Sequence, residues 1–302
     1  MELPIVNHPD YVAKINDDNK FPIKKFGELA NHLKEKKIAK NFFVPKPCSI
    51  ETLNQAHSKD YISNIQKKTL DQLSQKKIGF PLNDSVVQRS FVATGGTVLA
   101  SKLAISYGLA CNTAGGSHHA SFNEGAGFCV FNDVAVAIRL LARDSKIQNA
   151  LVVDFDVHQG DGTAAFFRTE PEFYTFSLHC QENYPLKKQV SDLDIGVPTG
   201  TGDSIYLSVV QTHVQPLIKK LKPDIVFYNA GVDPHENDKL GKLKLTDAGL
   251  RARDDHVIET CLMEGVPLAC VVGGGYDNDL DTLARRHGTL HRAAVSALQK
   301  LS

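Results

Sequence analysis

An α/β fold with a mostly parallel central sheet, covered by helices on both faces, is what this sequence predicts. Two observations carry the prediction. Segments with apolar residues at helical spacing alternate with short β-branched apolar runs over the later three quarters of the chain, and several of those runs end in glycine turns or ionisable residues. Residues 24–37 read as a helix because Phe26, Leu29 and Leu33 recur every three or four positions. Residues 84–107 keep that spacing from Val86 onward and lead into a strand at 108–112. The helix at 132–143 aligns Val134, Ile138 and Leu141, and precedes a strand at 150–156. An apolar run gives a further strand at 173–177, and the alternation then repeats. Helix 204–221 precedes strand 224–229, helix 246–264 precedes strand 267–272, and a last helix covers 279–301. His57 caps or packs a helix, and residues 45–47 and the Lys-rich 67–77 read as surface loops or helix ends. No repeat, low-complexity tract or Gly/Ser/Pro linker interrupts the chain, so one domain over residues 1–302 is expected.

At 302 residues and 42% hydrophobic content the chain can bury one large core. Lys plus Arg and Asp plus Glu both number 34, so the formal charge is zero, and no basic block argues for nucleic-acid binding or nuclear targeting. Six cysteines are scattered without a C-x-x-C pair, which suits reduced thiols and encodes no zinc ribbon. No apolar run approaches a membrane span, and the N-terminus has no secretory pattern. A cytoplasmic protein is expected.

The chemistry concentrates at strand ends. In A-L-V-V-D-F-D-V-H-Q-G-D-G-T, residues 150–163, an apolar run ends in four ionisable groups. On a strand continued through this segment, Asp154, Asp156 and His158 project together while Phe155 and Val157 face the other way. Two carboxylates and an imidazole side by side call for a cation or hydrogen-bond partners. The Gly-flanked pair His118 and His119 can reach one pocket from a loop, a second apolar strand ends at Asp233, and a third leads through Gly273–Gly275 to Tyr276. A mononuclear zinc site on Asp156, His158 and Asp233 is the economical reading, and the same donors admit Fe²⁺. His118 and His119 then remain for proton transfer, oriented by Asp154 and Asp161. His179, His213 and His287 read as structural or surface groups, and His235 as facing solvent from an irregular segment.

These motifs resemble the zinc-dependent histone deacetylase and deacetylase-like amidohydrolase family. The resemblance rests on G-G-S-H-H-A, G-F-C-V-F-N-D, V-D-F-D-V-H-Q-G-D-G-T, T-F-S-L-H, N-A-G-V-D and G-G-G-Y in the family's order. It spans roughly half the chain, with weaker similarity at F-P-I-K-K-F and A-H-S-K-D-Y-I, and looks most like the class IV branch and its bacterial relatives. It implies the arginase/deacetylase fold, Asp156, His158 and Asp233 as metal ligands, and Tyr276 as the group that polarises the scissile carbonyl. It further implies His119 with Asp161 as general base and acid, and His118 with Asp154 as its electrostatic partner. The Gly127 carbonyl becomes a substrate acceptor, with Phe128 and Tyr184 as tunnel walls. A structural K⁺ is implied on Asp154, Asp156, His158, Ser177 and Leu178.

The expected function is zinc-dependent hydrolysis of an acyl-lysine amide on a protein or peptide. Water activated at the cation is deprotonated by His119, and the cation and Tyr276 stabilise the oxyanion. Acetyl and long fatty-acyl chains compete as the leaving acyl group. Acetylated polyamines are disfavoured because Leu240 stands at a rim position where the resemblance places a glutamate in polyamine-selective members. Two other classes remain as alternatives. An arginase-like binuclear hydrolase would need a second acid where His235 stands, and an inactive acyl-lysine binding module would have to keep an intact catalytic set unused.

Overall fold

The fold was read from a computed structural model that describes residues 2–16 and 18–300. The strands, in chain order, are β1 (Ile5–Val6), β2 (Leu109–Asn112), β3 (Ala150–Asp154), β4 (Phe173–Cys180), β5 (Leu193–Val197), β6 (Val226–Asn229) and β7 (Leu268–Val271). The helices are α1 (Lys25–Glu35), α2 (Ile50–Leu53), α3 (Lys59–Lys67), α4 (Gln72–Ile78), α5 (Asp84–Tyr107), α6 (Asp133–Arg143) and α7 (Asp161–Phe167). They continue with α8 (Asp203–Leu221), α9 (Asp247–Met263) and α10 (Leu280–Lys300).

The strands form one sheet in the order β1-β2-β7-β6-β3-β4-β5, and every neighbouring pair is parallel. Every residue of β2, β3, β6 and β7 is buried. That is the signature of strands covered on both faces, and it explains why they read as continuous apolar runs rather than alternating ones. The helices pack in two groups: α5 lies on α6 and against β1, β2 and β7, while α9 packs on α8 and α10, with α1 on α10.

Local chemistry sets several boundaries. α5 starts where the Asn83 side chain accepts from the Val86 amide, and it ends at Gly108. α6 starts where Asn132 accepts from the Ala135 amide. The helices predicted at 84–107, 132–143, 204–221 and 246–264 stand within a residue of their observed ends. The predicted end of the last helix at residue 301 lies outside the described residues. The reading of 150–156 as strand needs correction: β3 stops at Asp154, and Asp156 and His158 sit on a bend beyond it. Asp154 Oδ1 accepts from the Asp156 amide at 3.2 Å, and Asp156 Oδ1 accepts from the His158 amide at 3.0 Å. These short-range bonds replace the sheet ladder. Edge strands β1 and β5 were not anticipated; β1 is two residues long, and β5 alternates half-exposed and exposed positions before Val197. The short helix α4 falls largely within the 67–77 segment read as a loop or helix end, α3 follows His57, and α2 was not anticipated.

Candidate metal and catalytic centre

The carboxyl ends of β2, β7, β6 and β3, four strands adjacent in the sheet, each deliver one part of the site. The loop after β2 carries His118 and His119. The bend after β3 carries Asp156 and His158, the loop after β6 carries Asp233, and the glycine loop after β7 carries Tyr276.

Asp156, His158 and Asp233 are buried, and each offers a ligand atom within 4.8 Å of the others. Among the described residues no second such group occurs. His158 Nδ1 lies 3.0 Å from Asp156 Oδ1 and 3.2 Å from Asp233 Oδ2. Burial works against a charged imidazole, but the two carboxylates outweigh it and lift His158 to about 10. Asp233 is pushed up to about 6 by burial and by the Asp156 charge beside it, and apart from the His158 contact its Oδ2 has no partner. Two buried carboxylates and an imidazole nitrogen with a spare oxygen fit a divalent cation. The backbone leaves the space open: a Cβ at Gly274 would lie 2.0 Å from Asp233 Oδ2.

His118 and His119 approach each other, with Nε2 atoms 3.1 Å apart. His118 Nδ1 is 2.7 Å from Asp154 Oδ2, and His119 Nδ1 is 2.5 Å from Asp161 Oδ1. Burial disfavours charge on both rings. For His118, Asp154 and Asp156 reverse this and raise it to about 9; for His119, burial and the neighbouring His118 charge lower it to about 4. Charge on the pair is therefore favoured at His118 over His119, whose Nδ1 faces Asp161. Asp133 at the start of α6 fixes the preceding loop, its carboxylate accepting from the Gly116 and Ser117 amides at 3.1 and 2.7 Å.

Tyr276 is buried and lines a cavity of about 300 Å³ together with His119, His158, Phe128, Tyr184 and Leu240. The Tyr184 ring stands edge-on to His119 at 4.8 Å, and the Phe128 ring is 6.0 Å from Tyr276. Gly127 and Phe128 both adopt left-handed backbone, at φ 52° and 65°. A Cβ on Gly127 would lie 2.5 Å from the His119 ring, so glycine is needed there for space as well as conformation. Behind the ligands a second cavity, of about 30 Å³, is lined by Phe21, Phe26, Arg89 and Ser117. Ser177 and Leu178 are buried on β4, with Ser177 in register with Asp154; the Ser177 hydroxyl is 3.0 Å from His179 Nδ1.

His235 does not face solvent. It is buried, its Nδ1 accepts from the Asn237 amide at 3.1 Å, and its Nε2 lies 3.4 Å from Asp247, because the segment folds back to bridge Leu245. His57 accepts from the Asn132 amide at 2.9 Å. Sequence reasoning missed Lys25, Asn229, Asp238 and Arg253. Asn229 donates to Asp154 Oδ1 at 2.9 Å, and Asp238 accepts from the Tyr276 amide at 2.7 Å. Asn229 was within reach because it ends an apolar strand; a buried lysine on a helix leaves no such mark.

Fold and site together define a parallel α/β protein with a three-ligand metal-type centre beside a histidine pair. Residues 20–291 match the model of the histone deacetylase domain, and the chain belongs to the histone deacetylase family. It is 46% identical to an uncharacterized protein of Picosynechococcus sp. over 296 residues, 97% of this chain and 99% of that one. It is 29% identical to histone deacetylase 2 of Arabidopsis thaliana, covering 81% of this chain and 64% of the relative. It is also 29% identical to the acetoin utilization protein AcuC of Staphylococcus aureus, covering 67% and 57%. The chain thus spans about three fifths of these last two relatives. The crystal structure of the HDA15 HD domain shares the fold, with a TM-score of 0.79 at 20% identity over 98% of this chain and 90% of that one.

Proposed function

We propose that this protein is a zinc-dependent amidohydrolase that removes acetyl groups from lysine side chains of proteins or peptides. The observation that carries the reading is that His119, paired with Asp161, and the Tyr276 phenol line one cavity with His158 of the ligand trio. A cation on Asp156, His158 and Asp233, zinc or ferrous iron, would polarise the scissile carbonyl and make an attacking water more acidic. His119 accepts the proton of that water as its oxygen bonds to the acyl carbon. The Tyr276 hydroxyl donates to the oxygen that becomes negative, a contribution of roughly 3 kcal/mol for one well-placed donor. The imidazolium of His119 then gives its proton to the departing lysine nitrogen as the C–N bond breaks. Asp161 holds the His119 ring, and the charge on His118 makes that ring a readier acid. Gly127 offers its carbonyl to the substrate amide, and Phe128 and Tyr184 enclose the lysine stem, with Leu240 at the rim. K⁺ on the backbone of Asp154, Asp156, His158, Ser177 and Leu178 belongs to the same proposal.

The inner cavity favours acetyl over a long chain. At about 30 Å³ it has room on the order of one water, and a fatty tail would have to displace Phe21, Phe26 and Arg89. No helix is long and apolar enough to cross a membrane among the described residues, and all six cysteines are unpaired. The reduced thiols support a cytoplasmic location. The test is hydrolysis of acetyl-, octanoyl- and myristoyl-lysine peptides by the zinc-loaded protein. Acetyl turnover lost in Tyr276→Phe and His119→Ala supports the reading, and a preference for myristoyl overturns the acetyl assignment.

A further inference from the structure

β3 and β6 run in register as far as Asp154 and Asn229. Beyond that point the ladder no longer dictates how far apart their two loops stand, yet those loops carry Asp156, His158 and Asp233. The Val157 amide donates to Asp233 Oδ1 at 2.9 Å, and a second tie comes from a side chain outside both loops. Arg253 of α9 is fully buried, and its Nη1 donates to the Phe155 carbonyl at 3.2 Å and to the Gly231 carbonyl at 2.7 Å. Phe155 directly precedes Asp156. Gly231 lies against both carboxylates: a Cβ there would stand 2.6 Å from Asp156 Oδ2 and 2.8 Å from Asp233 Oδ1.

The guanidinium is itself held in orientation. Its Nε and Nη2 donate to Asp254 Oδ1 at 3.0 and 2.9 Å, and that oxygen also accepts the Tyr228 hydroxyl at 2.6 Å. The Tyr206 hydroxyl reaches the Phe155 carbonyl from another side at 3.4 Å. A planar fork with one edge on a carboxylate and the remaining nitrogen on two carbonyls has little freedom to swing.

We propose that Arg253 is a positioning residue for the metal centre, setting the separation of the two ligand-bearing loops from behind. The inference rests on the metal reading of Asp156, His158 and Asp233. A group that merely filled the core would alter stability and leave the geometry of the ligands untouched. The experiment therefore reads metal binding rather than turnover. Zinc affinity by chelator competition and the visible spectrum of the cobalt form are compared for the wild type, Arg253→Lys, Arg253→Met and Asp254→Asn, below each variant's melting temperature. Lysine keeps the charge without the fork. Both Arg253 variants are expected to bind zinc about 10- to 100-fold more weakly, with an altered cobalt spectrum. Asp254→Asn removes the charge that orients the guanidinium and is expected to weaken zinc binding in the same direction, by less than the Arg253 variants. If Arg253→Met does not fold, Arg253→Lys decides. A folded Arg253 variant with wild-type zinc affinity and spectrum overturns the assignment. A wild type that binds no zinc overturns the metal centre itself.

Discussion

In the proposed reaction Tyr276 and the two histidines take separate roles, so their individual losses read differently. On that proposal, replacing Tyr276 by phenylalanine would remove one donor to the oxyanion and is expected to lower kcat about 10²- to 10³-fold with KM nearly unchanged, measured by steady-state hydrolysis of an acetyl-lysine peptide. An equal rise in KM would show that the phenol contributes to ground-state binding instead. Gly274 allows a different separation. Its amide donates to Asp156 Oδ2 at 2.7 Å, and its missing Cβ is the space beside Asp233. Gly274→Ala is expected to lose zinc binding while keeping a folded circular dichroism spectrum. Full zinc occupancy in that variant would contradict the placement of the ligands.

At the level of elements, α1 and the glycine loop after β7 are joined by one buried cation. Lys25 Nζ donates to the Gly273 and Gly275 carbonyls at 3.1 and 3.2 Å, and it lies 5.6 Å from the centre of the Tyr276 ring. Burial lowers this amine to about 8, against the pull of Asp233 and Asp156. In the unfolded chain it titrates near 10.5, so the unfolded state binds more protons between about pH 8 and 10.5. Its contribution to stability therefore improves as pH rises through that window. Activity should move the opposite way, because the neutral amine no longer carries a charge for the two carbonyls. Turnover is expected to fall above about pH 8 in the wild type, with the fall shifted to higher pH in Lys25→Arg. Superimposable alkaline limbs in the two pH profiles would remove Lys25 from the account of Tyr276 positioning.

For the molecule as a whole, buried neutral histidines set the response to acid. His57, His179 and His291 are each pushed down to about 4, by burial first in every case. The unfolded chain binds a proton at each of these near 6.5, whereas the folded protein resists until about 4. Stability is thus complete above about pH 6.5 and is lost as pH falls toward 4, by at most roughly 3 kcal/mol for a fully buried ring. Denaturant midpoints measured from pH 7 to 4.5 should decline, and His291→Leu should make the decline shallower. A flat profile in the wild type would show that these rings do not remain neutral.

Much of this was legible along the chain, because helix spacing and strand composition act over a few residues. α5 begins at an asparagine cap and ends at a glycine, and the motif residues stand at the ends of apolar runs where parallel sheets place their sites. The sequence by itself therefore determined the α/β class, the main helices and the candidates His118, His119, Asp156, His158, Asp233 and Tyr276 at the ends of its apolar runs. What only the tertiary structure decided depends on contacts between residues far apart. The order β2-β7-β6-β3 brings four loops together, although β2 and β7 are more than 150 positions apart. β3 stops at Asp154 because local side-chain bonds take over the backbone, and His235 is buried because its turn folds back on Leu245. Lys25 and Arg253 are silent in sequence for the same reason: their partners are carbonyls 248 and 250 positions away for the lysine, and 98 and 22 for the arginine. A carbonyl is present at every residue, so no residue type marks where such a bond will form; only the packed chain selects it.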